Sequence, residues 1–74
     1  MTDLDKMQYI RYMSMRDELD NVAYAGIDLK LDGSSSNAHS IAAACVFNEE
    51  SDYMRDYIRD GYGRVSELNF DRIR

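Results

Sequence analysis

Residues 48–64 read NEESDYMRDYIRDGYGR, and the fold turns on whether this stretch coils or extends. Asn48 is a preferred helix N-cap, because its short side chain can accept from an amide left unpaired at a helix start. Glu49, Glu50 and Asp52 follow where the helix dipole favours negative charge. Tyr53, Met54, Tyr57 and Ile58 recur at helical spacing, and Gly61 suits the position just past a helix end. The spacing predicts a helix over residues 49–60. The rival reading is a β-hairpin closing at DGYGR, since glycines between aromatic-rich runs also mark hairpins.

The preceding run, SIAAACVF at 40–47, is equally two-sided. Its four-apart pairs Ile41/Cys45 and Ala42/Val46 suit a short helix, and alanine favours one. A buried strand looks similar, because a short apolar run carries no decisive periodicity. The strand is the preferred expectation here, hairpinned with IDLKL at 27–31, whose apolar and polar residues alternate as in a half-buried strand. Asp32-Gly33 supplies a turn after that strand, and SSSN at 34–37 extends it into a polar loop.

The ends are read more simply. Leu4, Met7, Tyr12, Met15, Leu19 and Val22 fall on one arc of a helix over 3–25, capped by Thr2 or Asp3 and stopped by Gly26. Tyr9, Ile10 and Met13 lie off that stripe, available either to widen the buried face or to meet a partner. Arg16 and Asp20 sit one turn apart and can pair. RVSELNF at 64–70 reads as a strand with Val65 out of step, and the tail DRIR as frayed. The order helix, strand, strand, helix, strand predicts a single small α+β domain over 1–74: a three-stranded antiparallel sheet with two helices. A helix at 40–47 would make the fold mainly α.

Composition bounds the function. The chain has 74 residues, 45% of them apolar, so it can form a core but buries only about 60% of its unfolded surface. A partner or a second copy would add to that. Fourteen acids against nine bases give a net charge of −5. That sign opposes direct binding to nucleic acid or to an anionic membrane, and suits a basic protein partner. No stretch has the roughly 20 apolar residues a membrane span needs, and MTDLDKMQ lacks the basic start of a signal peptide. With one cysteine, Cys45, no internal disulfide can form. The expectation is a cytoplasmic protein with Cys45 as a small buried hydrophobe.

Catalytic and metal signals are weak. Asp28, Asp32 and Gly33 fall at EF-hand offsets, but Lys30 stands where an oxygen ligand belongs and His39 where the loop ends in glutamate. His39 and Cys45 alone cannot satisfy zinc. The glycines fit neither a phosphate-binding loop nor a dinucleotide fingerprint. The expectation is no enzyme, no metal and no cofactor.

One constellation goes beyond composition. On a helix, Glu49, Asp52, Asp56 and Asp60 would align on one face, with Tyr53, Tyr57, Met54 and Ile58 on the neighbouring arc. Acids one turn apart repel, and Asp60 would sit at the negative helix end, so the line does not serve the helix itself. Acids bordered by tyrosines suit a basic groove. The six residues Glu49, Asp52, Tyr53, Asp56, Tyr57 and Asp60 are therefore the expected partner-binding set of an inhibitor or adaptor. Its partner could be a nucleic-acid-binding protein, which such a face would engage as a sparse mimic of phosphate. Small acidic phage-type inhibitors of nucleic-acid-processing systems share this composition, without a common motif. The alternative is a structural, self-associating domain.

Overall fold

The structure, a computed structural model, describes residues 3–48 and 51–73, and of Leu4 the backbone alone. Helix α1 spans Asp3–Tyr24. It ends where Gly26 takes a positive φ of 89°. The Gly26 amide donates to the Ala23 carbonyl and the Ile27 amide to the Val22 carbonyl. These two bonds form a Schellman motif, which satisfies carbonyls the helix end would leave free. Ile27 and Val22 both pack against the core, completing the stop. The expected stripe is buried at Tyr12 and Leu19 and half-buried at Met15 and Val22, whereas Met7 is exposed. Tyr9 and Ile10 are exposed and Met13 is half-buried. The reason is length: about 33 Å of helix overruns what the rest of the fold can cover. Thr2, the alternative cap, lies outside the described residues.

Strand β1, Asp28–Leu31, turns through Asp32 and Gly33 into β2, Ser34–Ser35. Both turn residues have positive φ, 52° and 81°, the signature of a two-residue type I′ hairpin turn. Helix α2 then spans Ala38–Phe47. The preferred strand at 40–47 is thus corrected to a helix. Asn37 explains why: its side chain accepts from the Ser40 amide at 2.9 Å, which starts a helix, and the alanines sustain it. Ala38, Ile41, Ala42 and Val46 are its buried residues.

The helix expected over 49–60 is corrected as well. Tyr53–Arg59 forms strand β3, which the DGYGR hairpin joins to β4, Val65–Arg72. Glu49 and Glu50 lie outside the described residues. Asn48 closes α2 instead of opening a new helix. The hairpin wins because strand pairing satisfies the backbone against β4, whereas a helix here would have stacked aspartates one turn apart. Val65 is out of step with Leu68 and Phe70 because of a β-bulge: Ile58 pairs with Glu67, but Arg59 pairs with Val65. The tail is not frayed at Asp71 and Arg72, which belong to β4.

The sheet runs β2-β1-β4-β3. β1 and β4 are parallel, and the other two pairs are antiparallel. This is a small α+β domain with a four-stranded mixed sheet, not the expected three antiparallel strands. β1 finds its missing neighbour in the distant β4. Nor is the fold mainly α, because the helix gained at 38–47 is balanced by the strand gained at 53–59. Both helices pack on one face of the sheet, where Leu19, Leu29, Ala38, Ile41, Leu68 and Phe70 form the core. A second cluster, Tyr12, Ala42 and Val46, joins α1 to α2. Among the described residues, no helix is long and apolar enough to cross a membrane.

Candidate protein-binding surface

Strand alternation divides β3 between two environments. Tyr53, Arg55 and Tyr57 share the helix side with Arg72, Phe70 and Leu68, their register partners on β4. Met54, Asp56 and Ile58 pair with Asp71, Asn69 and Glu67 and lie on the face that carries no helix. Every β3 residue after Tyr53 is exposed.

On the helix side, Arg55 is held firmly. Its guanidinium donates to both carboxylate oxygens of Glu18 on α1 and lies 5.2 Å from the centroid of Phe70. The hydrogen bond to Glu18 is the largest cause raising the Arg55 pKa, and the same bond holds Glu18 below its ordinary value. Tyr53 packs against the core, whereas Tyr57 remains 54% exposed.

The helix-free face is acidic. Parallel register brings Asp28 beside Glu67 and Lys30 beside Asn69, so Asp28, Asp56, Glu67 and Asp71 share this face with Lys30. Lys30 pairs with Glu67 at 2.8 Å, and that hydrogen bond is the main reason its pKa is raised. Asn69 is buried at the centre: its Nδ2 donates to Asp71 and its Oδ1 accepts from the Gly33 amide. Among the described residues of this face, one cation therefore stands with four carboxylates. Met54 and Ile58 sit beside these acids, 54% and 38% exposed.

The five described residues of the expected contact set lie on or beside β3 without sharing one face. Glu49 lies outside the described residues. Asp52 is exposed just before the strand, and its carbonyl accepts from the Ile73 amide at 2.9 Å. Asp56 is on the acidic face, and Tyr53 and Tyr57 are on the opposite side. Asp60 shapes the hairpin: its Oδ1 accepts from the Tyr62 and Arg64 amides at 2.8 and 3.1 Å. Outside the expected set, Met54, Ile58, Asp28, Glu67 and Asp71 share the face of Asp56. The two-residue alternation of YMRDYIR signals the first pair. The other three become neighbours only through strand register.

Two open hollows of about 330 and 340 Å³ flank Arg11 and Val46. Ile10, Glu18 and Arg55 border the first; Gln8, Cys45, Ser51 and Asp52 border the second. The buried Ser51 hydroxyl has no hydrogen-bond partner among the described residues. Burial pushes the Cys45 thiol up, which leaves little thiolate to react near neutrality. His39 bonds through Nδ1 to the Tyr12 hydroxyl, tying α2 to α1. Asp32 and Gly33, the residues of the EF-hand offset, form a hairpin turn in which Asp32 accepts from the Arg72 amide. Among the described residues, no group of three or more His, Cys, Asp or Glu side chains is placed to hold a metal ion. The chain matches no protein-family model, no curated protein and no solved structure.

Proposed function

We propose that the protein is a small non-enzymatic protein-binding domain, an inhibitor or adaptor that offers acidic, apolar and tyrosine side chains to a basic partner. The observation that supports this reading is the helix-free sheet face: Asp28, Asp56, Glu67 and Asp71 around the exposed Met54 and Ile58, with Tyr57 on the adjoining edge. Exposed apolar side chains within a charged border are how interaction sites differ from ordinary solvated surface. Asp56 and Tyr57 are the central contacts, with Asp52, Tyr53 and Asp60 along the same strand. A partner that embraces the edge touches both of its sides. Proteins that bind nucleic acid have grooves of the required sign, while nucleic acid itself has the wrong one. The setting proposed is cytoplasmic.

The test is capture of basic proteins from extract by the wild type and by Asp56→Lys/Asp71→Lys, over a salt titration. The expected result is salt-sensitive capture that the double variant loses, because exposed charges are screened within about 8 Å at physiological salt. Unchanged capture by a folded double variant overturns the reading. A second reading, a self-associating structural domain, is favoured by the exposed Met7, Tyr9 and Ile10 on the overrunning half of α1 and by Phe47 nearby. Sedimentation of a monomer throughout the micromolar range would rule that out.

A further inference from the structure

The sheet has two edges of different character. β2, at one edge, is two residues long. β3, at the other, is seven residues long and, among the described residues, pairs on one side alone. A long edge strand exposes a row of unpaired amides and carbonyls, a template for another strand. The bond from the Ile73 amide to the Asp52 carbonyl fixes the phase of the β3·β4 ladder. Even-numbered residues of β3 bond inward to β4, so the N–H and C=O of Tyr53, Arg55 and Tyr57 point outward.

We infer that this free edge is a docking site for a second copy of the chain, and that Asp56 is the residue that holds the two copies apart. The inference goes beyond both readings: it concerns the edge of β3, and a wild type that is monomeric at low salt is what the Asp56 repulsion predicts. The sequence YMRDYIR is close to self-complementary when it runs antiparallel to itself about Asp56. On the helix-free face, Met54 meets Ile58 of the second copy, twice by symmetry. On the helix side, Arg55 meets Tyr57 of the second copy and Tyr53 meets Arg59, pairings suited to a cation over an aromatic ring. Moving the register by two residues one way sets Arg55 against itself. Moving it the other way sets Arg55 against Arg59 of the second copy. The central register is therefore the favoured one, and its single defect lies on the two-fold axis, where Asp56 faces Asp56.

That defect falls at the worst place. The outward-pointing residues are odd-numbered, so Asp56·Asp56 is a non-hydrogen-bonded pair, whose Cα atoms approach to about 4.5 Å, the closer of the two pair types. Like charges directly opposite oppose strand pairing. Around it, Asn69 lies opposite Asp56 on β4, and the nearest cation of this face, Lys30, is paired with Glu67. With that repulsion removed, two four-stranded sheets join into one of eight strands, with all helices on the same side.

Equilibrium sedimentation of the wild type and Asp56→Asn, from low to high salt, tests this. Asp56→Asn should dimerise up to about fivefold more tightly than the wild type, the upper end of the scale of a cross-strand pair. Wild-type association should strengthen with salt as the Debye length falls from about 10 Å at 0.1 M to 3 Å at 1 M. Adding Ile58→Lys to Asp56→Asn should abolish the dimer. Exchange protection gained on association should fall on the Arg55 and Tyr57 amides. Asp56→Thr repeats the charge removal with a better strand former, should the asparagine variant fold poorly. Neutral variants that stay as monomeric as the wild type overturn the inference. So does a dimer that Ile58→Lys leaves intact, or one protecting α1 in place of β3; the last would leave self-association itself standing.

Discussion

Asn37→Ala is the substitution most informative about the fold. The Asn37 carboxamide accepts the Ser40 amide at 2.9 Å at the start of α2. Replacing an N-cap Asn by Ala costs about 0.5–2 kcal/mol, typically near 1. The bond is exposed to solvent, which argues for the middle of that range and not its top. The loss will not remain local, because α2 carries Ala38, Ile41, Ala42 and Val46 into both core clusters. In a domain of this size, 1 kcal/mol moves the melting temperature by about 4–8 °C. Thermal melts followed by circular dichroism should therefore show Asn37→Ala melting several degrees below the wild type. Asn37→Asp and Asn37→Ser should stay close to it, and Asn37→Gly should lose only a few tenths of a kcal/mol. Faster exchange of the Ser40 amide should accompany the alanine variant. An alanine variant within about 1 °C of the wild type would refute the argument, since a loop residue ahead of a strand predicts that insensitivity.

Asp60→Ala removes the acceptor of two hairpin amides and should cost roughly 1 kcal/mol in urea denaturation. Glu18 is held below its ordinary value of 4.5 chiefly by its hydrogen bond to Arg55. Its contribution is thus present above 4.5 and is lost as pH falls through the lower folded value. Because its side chain is 51% exposed, Glu18→Gln should flatten the acid limb of stability against pH by only about a few tenths of a kcal/mol. Leu68→Ala opens the centre of the core and should cost about 2–5 kcal/mol, enough to leave much of the protein unfolded at 37 °C by one-dimensional NMR. Alkylation of Cys45 should be slower in the native protein than in urea, because burial raises its thiol pKa.

The chain states its local punctuation clearly and its long-range pairing hardly at all. Helix α1, its stop at Gly26 and the Asp32-Gly33 turn follow from signals a few residues wide. SIAAACVF is ambiguous by nature: eight largely apolar residues fit one face of a helix or both faces of a strand. The deciding residue, Asn37, stands three positions earlier and reads equally well as a loop residue. YMRDYIR carries both periods at once, since Tyr53 and Tyr57 four apart satisfy a helix and also lie on one side of a strand. Only pairing with β4 resolves it. The spacing of the acids suggests a helix face, whereas the structure groups acids on a sheet. Its members, Asp28 on β1, Asp56 on β3 and Glu67 and Asp71 on β4, are neighbours by register alone.

The strand order has a consequence for how the protein comes into being. β4 lies between β1 and β3, yet it is the last element of the six to leave a ribosome. Until it emerges, β1 has only the two residues of β2 to pair with, and the core lacks Leu68 and Phe70. β1 must wait for a partner nearly forty residues downstream, and the sheet-facing sides of the helices wait with it. Such non-local closure slows folding and exposes nascent chains to aggregation. Translation that stalls before residue 65 should therefore yield a chain for chaperones and proteases to clear, without a native-like fragment.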